Sequence, residues 1–159
     1  MPDSNDQLVG KTITIEREFE APRELVWETW TKPEHFSKWY APDHFTVPVC
    51  ELDVRPEGKI RIDMKGPDAT VYPSSGVFQE VSKPEHLSFI NSPLDADGNK
   101  MFEVLQSLTL TDQAGKTQFR LVSKVVSAGP QAAPFLAGMD EGLNQSIKHL
   151  EALIQDLSK

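Results

Sequence analysis

Hydrophobic and polar residues alternate along several stretches of this chain, and a period of two is typical of half-buried β-strands. In the first stretch Ile13, Ile15, Arg17 and Phe19 share one face, while threonine and glutamate residues form the other. Pro73 is expected to bend or bulge its strand, because proline cannot donate to a β-ladder. Clusters of turn-forming residues separate the later strand-like stretches, which predicts an antiparallel meander. These stretches are 45–54, 59–65, 71–81, 87–91, 102–110 and 119–125.

Two short helices are predicted between the first two strands, and the segment that forms them carries all three tryptophans of the chain. Pro22 is well placed at the start of the first helix, because its fixed φ suits that position. Thr31 and Glu34 have the spacing of a capping box, which predicts a second helix start. Trp30 and Trp39 would then lie on short elements above the sheet, and we expect Trp39 to belong to a lid.

The hydrophobic period changes to that of a helix near the carboxyl end. Apolar residues recur at helical spacing from Pro134 to Leu157, which predicts one long amphipathic helix. Gly138 and Gly142 lie one turn apart in it, and we expect them to allow the close approach of a neighbouring segment or a ligand. The order of elements predicts an α+β fold, in which a curved antiparallel sheet of about six or seven strands clasps the long helix.

Composition and charge limit the number of domains, the partners and the cellular location that we expect for this protein. We expect one domain at 11–159, preceded by a disordered tail at 1–10. The formal net charge of -8 argues against nucleic acid and anionic membranes as partners. Cys50 is the single cysteine, which excludes an intrachain disulfide and a metal site built on several thiolates. The polar amino terminus predicts neither a signal peptide nor a membrane anchor, so we expect a soluble cytoplasmic protein.

Five segments of the chain carry a family resemblance. They read FEAPRELVW (19–27), WTKPEHFSKW (30–39), FTVPVCELDVRPEG (45–58), GVFQEVSKPEHL (76–87) and GMDEGLNQSIKHL (138–150). Together they resemble the bacterial homologues of the activator of heat-shock protein 90 ATPase, a family of the SRPBCC superfamily with START-like domains. The resemblance implies a helix-grip fold with a deep apolar cavity between the sheet and the long helix. Leu143 departs from it, because many relatives have tryptophan there, and the smaller residue would widen the cavity or repack it.

The candidate site follows from the resemblance, which implies that side chains of the sheet and the helices line the cavity. The predicted lining residues are Arg17, Trp30, Trp39, Met64, Tyr72, Phe89, Phe102, Gln106, Phe119, Phe135, Met139 and Leu143.

Two of these residues have alternative interpretations, because they are polar residues on apolar faces. Arg17 would bind a ligand carboxylate, or it would form an internal ion pair. The ion pair is favoured, since a buried charge needs a partner. Gln106 would be a polar anchor in the pocket or an ordinary satisfied side chain at a β-bulge. The candidate partners for Arg17 are Glu141, Asp53 and Asp63.

Three functions fit this sequence. The preferred one is the binding of a small apolar or aromatic ligand, a lipid included, in the internal cavity. The second is a protein-interaction module with a chaperone as its partner in the stress response, as the resemblance implies. The third is an enzyme of the cyclase or hydrolase type that uses Arg17, Gln106 or Tyr72. No nucleophile and base stand at a recognisable spacing, so no catalytic residue is assigned. We predict no metal and no cofactor, and we leave the oligomeric state open between monomer and homodimer.

Overall fold

A computed structural model gives the fold and describes residues 8–158. The predicted tail at 1–10 therefore lies for the most part outside the described residues. Its last residues form a turn, in which the N–H of Lys11 donates to the carbonyl of Leu8 at 3.1 Å. The N–H of Gly10 donates to the carbonyl of Val125 at 2.8 Å, which ties this turn to the sheet. The division into a tail and one domain at 11–159 stays a prediction.

Seven antiparallel strands form one sheet in the described part of the chain. In chain order they are β1 (Thr12–Phe19), β2 (Thr46–Leu52), β3 (Lys59–Lys65), β4 (Val71–Ser82), β5 (His86–Pro93), β6 (Phe102–Gln113) and β7 (Lys116–Ala128). The order across the sheet is β1-β7-β6-β5-β4-β3-β2. Strands β2 to β7 therefore form the predicted meander, and β1 pairs with its last strand.

Helices cover the concave face of this sheet. Those of residues 8–158 are α1 (Arg23–Thr31), α2 (Pro33–Trp39), α3 (Ala132–Ala137) and α4 (Met139–Leu157). The curved sheet, the helix pair after β1 and the long α4 confirm the predicted α+β helix-grip fold. The prediction of one helix from Pro134 to Leu157 is wrong, because Gly138 separates α3 from α4. The ψ of Gly138 is 5°, far from the helical value of about −42°.

The start of α2 does not use the predicted capping box. Thr31 is the last residue of α1, and its hydroxyl donates to the carbonyl of Trp27 at 2.9 Å. Lys32 precedes α2 and makes no side-chain capping bond. Pro33 takes the first helical position, where a missing N–H removes no intrahelical bond. The second helix lies where predicted, but a different residue starts it.

The structure shows no bulge at Pro73, one of the two expected effects of this proline. Pro73 pairs in register with Asp63 of β3. The register shift of β4 lies between Phe78 and Glu80 instead.

Neither of the two helix glycines serves the close approach of a neighbouring segment, which is one of the two roles expected from the sequence. A Cβ added to Gly138 would meet no other heavy atom within 4 Å. A Cβ added to Gly142 would lie 3.9 Å from Pro42, which is an ordinary van der Waals contact. Gly138 therefore marks the helix break, and Gly142 is a glycine that the packing does not require.

Two clusters of buried apolar side chains lie on the concave face. The main core joins the sheet to α1, α2 and α4 and includes the fully buried Leu108 and Ile147. The second core lies under α3, where Leu136 packs with Val104 and Val125. None of the helices in residues 8–158 has the length and apolar character needed to cross a membrane.

Candidate functional site

An aromatic cluster fills the space between the sheet and the helices α1 and α2. Its members are Trp30, Phe36, Trp39, Phe89 and Phe119, and each of them is at most 2% exposed. The ring of Trp30 is central, with its centroid 4.6 Å from that of Trp39, 6.0 Å from that of Phe119 and 6.4 Å from that of Phe89. These separations are typical of favourable aromatic pairs. The structure thus brings together four of the predicted lining residues, Trp30, Trp39, Phe89 and Phe119.

A narrow apolar gap lies beside this cluster. It contains about 170 Å³ of space outside the atoms but does not admit a water molecule. An open cavity of ligand size is therefore not found at this place. The gap is lined by Trp30, Phe36, Leu52, Ile60, Ile62, Phe78 and Phe89.

The two tryptophans of the cluster differ in their hydrogen bonding. The indole N–H of Trp39 donates to the carbonyl of Thr29 at 2.8 Å. The indole nitrogen of Trp30 is buried and has no hydrogen-bond partner among the described residues. Most buried polar groups are paired, so the unpaired indole N–H is an exception, and it belongs to a residue that lines the gap.

A second unpaired polar atom lies near α2. The side-chain N–H of Asn91 donates to the hydroxyl of Tyr40 at 3.1 Å, while its Oδ1 is buried without a partner in residues 8–158. Tyr40 stacks on Phe36 with ring centroids 4.4 Å apart. Burial, and then the neighbouring Cys50, raises the pKa of the Tyr40 hydroxyl above its usual range. The hydroxyl is therefore protonated at neutral pH.

Cys50 lacks the character of a reactive thiol. Burial, and then the charge of Glu51, raises the pKa of the Cys50 thiol from 9.0 to about 11. The thiol is therefore protonated at neutral pH, whereas nucleophilic and metal-binding cysteines are thiolates. No group of three or more His, Cys, Asp or Glu side chains is placed to hold a metal ion in the described part of the chain.

Gln106 is satisfied inside the protein. It is 7% exposed, and its Oε1 accepts a short hydrogen bond from the hydroxyl of Ser123. It does not lie at a bulge, because it pairs in register with Phe89 and Ser123. The nearest register shift lies between Glu103 and Val104.

Arg17 lies on the inner face of β1, as predicted, and forms an ion pair with Glu151 of α4 at 3.1 Å. A second bond joins its Nη1 to the carbonyl of Glu16 at 2.8 Å. The two paired side chains are 37% and 39% exposed, so the pair lies near the surface. The ion-pair interpretation is the one the contacts support.

All three predicted partners of Arg17 are wrong. Each of the three carboxylates makes a local contact with a residue two or four positions away in the chain. The observed pairs are Asp53 with Arg55, Asp63 with Arg61 and Glu141 with Gln145.

The remaining predicted lining residues lie outside the aromatic cluster. Met64 and Tyr72 are cross-strand partners of β3 and β4 and are partly buried. Phe102 and Met139 belong to the second core, and Phe135, whose ring lies 6.4 Å from that of Phe102, is 42% exposed. Leu143 is partly buried against the main core.

The gap has lining residues that the predicted set does not contain. These are Phe36, Leu52, Ile60, Ile62 and Phe78. Two of these residues could have been predicted from the strand alternation, because Ile60 and Ile62 share one face of β3 at a period of two. Phe36 gives no such signal, since a seven-residue helix is too short for a clear period.

A larger cleft opens on the surface between the end of β1 and the end of α4. Its volume is about 530 Å³, and it contains none of the predicted site residues. Lys116 lies 3.4 Å from Glu20 at this cleft, so its acidic rim is partly neutralised. The lining consists of Glu18, Phe19, Glu20, Glu151, Ile154, Gln155 and Ser158.

Comparison with known proteins supports the fold and the resemblance. The family model for the Activator of Hsp90 ATPase homolog 1-like protein matches residues 20–155. No curated protein matches the chain significantly.

Solved structures of bacterial proteins share the fold along almost the whole chain. Ms6760 from Mycobacterium smegmatis is 28% identical with a TM-score of 0.75, and the match covers 95% of this chain and 94% of that one. A protein from Arthrobacter aurescens is 22% identical with a TM-score of 0.81, covering 98% and 91% of the two chains. Protein NE0264 from Nitrosomonas europaea is 24% identical with a TM-score of 0.72, covering 92% and 96%.

Proposed function

This chain belongs to the family of Activator of Hsp90 ATPase homolog 1-like proteins, and on that basis we propose that it binds a small apolar or aromatic molecule between the sheet and the helices α1 and α2. The observation that supports the proposal is the buried indole N–H of Trp30, which has no partner among the described residues and belongs to a residue that lines the apolar gap. A ligand with an oxygen acceptor would supply that partner.

Two energy terms favour such a ligand. Leaving a buried donor unpaired costs about 1–3 kcal/mol, and an acceptor on the ligand removes this cost. The apolar surface of the gap contributes about 25 cal/mol for each Å² that is buried against the ligand. We therefore expect a mostly apolar ligand with a single carbonyl or ether oxygen.

The ligand has to displace side chains, because the gap does not admit a water molecule. Helix α2 is only seven residues long and contributes Phe36 and Trp39 to the cluster. Movement of α2 away from the sheet would widen the gap and leave the β-ladder intact. The affinity is then lowered by the free energy needed to open the site.

The test compares two probes of nearly identical shape, acetophenone and α-methylstyrene, of which only the first has an oxygen acceptor. We expect acetophenone to raise the melting temperature more, because a ligand that binds the native state stabilises it. Trp30→Phe should remove the difference between the probes. Trp27→Phe, on the same helix but outside the gap lining, should preserve it.

Two results would contradict the proposal. One is a wild-type melting temperature that neither probe nor a wider panel of aromatic and lipid ligands raises. The other is a Trp30→Phe protein that still discriminates between the two probes.

The filled interior favours a second candidate function, the modulation of a chaperone ATPase through the protein surface. Because the core is packed, this function would depend on contacts between the protein surface and a partner. The family description names an ATPase activator. Addition of this protein to a purified chaperone of the Hsp90 class should then change its rate of ATP hydrolysis. An unchanged rate over a wide range of concentrations would remove this candidate.

The proposed location for either function is the cytoplasm. A single cysteine leaves no intrachain disulfide, which agrees with a reducing compartment.

A further inference from the structure

The loop between α2 and β2 (residues 40–45, the α2–β2 loop) is bound to one side of α4. The hydroxyl of Ser146 donates to the carbonyl of Tyr40 at 3.0 Å. The N–H of Asp43 donates to Oε1 of Gln145 at 3.0 Å. The loop is thus held by side chains of the long helix more than 100 residues away in the chain.

His149, one turn further along α4, makes two more contacts with the same loop. Its Nδ1 lies 2.9 Å from the carbonyl oxygen of Ala41, and its Nε2 lies 2.7 Å from Oδ1 of Asp43. Both ring nitrogens therefore face oxygen acceptors. The His149 side chain is 35% exposed, so protons reach it from solvent.

These two contacts favour a ring that carries a proton on each nitrogen. A carbonyl oxygen only accepts hydrogen bonds, so Nδ1 must donate to Ala41. If Nε2 were unprotonated, its lone pair would face the Asp43 carboxylate at 2.7 Å. The doubly protonated imidazolium satisfies both acceptors, and a separation of 2.7 Å is in the range of charge-assisted hydrogen bonds.

Asp43 is the charged partner of this ring. The residues three and four positions away on α4, which are Gln145, Ser146, Ala152 and Leu153, carry no charge. Elements β1, α1, α2 and α3 also pack against α4, and the loop itself carries Tyr40 and His44, but in residues 8–158 neither these two side chains nor the ionisable side chains of the four elements make a hydrogen bond or ion pair with His149. The ionisable side chains of the four elements are Glu16, Arg17, Glu18, Arg23, Glu24, Glu28, Glu34, His35 and Lys38.

We propose that His149 is a pH-sensitive clamp that holds the α2–β2 loop on α4 when it is doubly protonated and releases the loop when it loses the Nε2 proton. The loop follows directly on α2, which carries Phe36 and Trp39 into the aromatic cluster. Release of the loop therefore loosens α2. We expect release of the loop to open the ligand site as well, and this consequence rests on the proposed function. The clamp itself does not depend on the proposed function.

The ring protons of His149 provide the first test, by nitrogen NMR of the wild-type protein without ligand. If the clamp works as proposed, both ring N–H groups should be observed at about pH 6 and protected from solvent exchange, and the Nε2 N–H should be absent at about pH 8.5, where the loop is released. A ring with one proton at about pH 6 would overturn the proposal.

Hydrogen exchange of the loop and α2 provides the second test, with intrinsic rates corrected for pH. We expect wild-type amides at 36–45 to open about tenfold more often at the higher pH, since a charge-assisted hydrogen bond is lost. His149→Gln should be open at both pH values. Asp43→Asn should be closed at both, because an amide accepts from or donates to either form of the ring.

The matched control is His86→Gln. His86 lies 3.4 Å from Glu80 and 3.3 Å from Thr109, so it too is a histidine beside a carboxylate. This variant should retain the wild-type pH dependence at 36–45. The clamp would be refuted if His149→Gln retained that dependence as well. Neither the NMR test nor the hydrogen-exchange test contains a ligand. A melting-temperature screen in which no ligand binds would therefore contradict the proposed function without changing the result of either clamp test.

Discussion

At the residue scale, Trp39 is built into the protein interior. It is 1% exposed, its ring contacts Trp30 and Phe36, and its N–H is hydrogen-bonded to the carbonyl of Thr29. These contacts make Trp39 part of the packed core while α2 lies on the sheet, so its removal should affect stability as well as access to the gap.

We expect Trp39→Ala to lower the free energy of unfolding by about 3–5 kcal/mol, because it leaves a cavity in a packed core. Trp39→Phe keeps most of the ring volume and should lose about 1 kcal/mol for the missing hydrogen bond. Urea unfolding of the three proteins measures both values. A loss of less than about 1 kcal/mol for Trp39→Ala would contradict this packed-core role.

The Cys50 thiol gives a prediction with a defined sign. Because burial raises its pKa to about 11, we expect slow alkylation of the folded protein at about pH 8 and rapid alkylation in urea. Between pH 9.0, the value for a free thiol, and about 11 the unfolded chain loses this proton while the folded chain keeps it. The thiol therefore lowers stability as the pH rises through that window. Equal alkylation rates in the folded and unfolded protein would contradict the raised pKa.

At the element scale, regular patterns were easier to predict than the breaks between them. The alternation at Ile13, Ile15 and Phe19 locates β1, because burial on one face of a strand requires it. The break at Gly138 is not visible in the pattern, since apolar residues continue at helical spacing on both sides of it. The capping box failed for a related reason, because the Thr31 hydroxyl bonds to the preceding turn of α1 instead.

Gly142 offers a test of the helix packing. We expect Gly142→Ala to raise the free energy of unfolding by about 0.5–1 kcal/mol, because alanine has the higher helix propensity and its Cβ makes an ordinary contact with Pro42. Gly138→Ala is the matched control, since this residue lies between α3 and α4 and should not show the gain. Destabilisation by Gly142→Ala in thermal unfolding would show that the loop needs the glycine.

At the scale of the whole molecule, the concave face of the sheet contributes side chains to two separate clusters, the main core and the second core. Strand β6 is 12 residues long, and its inward residues reach from Phe102 in the second core to Leu110 in the main core. The sequence assigned Phe102, Phe135 and Met139 to the same site as Trp30. Alternation specifies the face of a strand, but the position along that face depends on which helix covers it.

The second core should open before the main core. Its cover, α3, has six residues and no side-chain cap, so few contacts resist its opening. We expect amides at 132–137 to exchange with solvent faster than amides at 105–125. Equal protection of both segments in native-state hydrogen exchange would contradict a separate opening of α3.

The sequence by itself determined the α+β fold, the order of the elements and the inward faces of the strands, because each of these depends on a local hydrophobic period. It also identified four members of the aromatic cluster, since bulky apolar residues on inward faces have to be buried. Only the tertiary structure decided the pairing of polar groups. Arg17 and Glu151 are 134 positions apart, and His149 and Asp43 are 106 apart. Such pairs form where two folded elements meet, at distances of a few ångströms that no local pattern encodes. The same reason explains why Trp39 has a hydrogen-bond partner in the described structure and Trp30 has none.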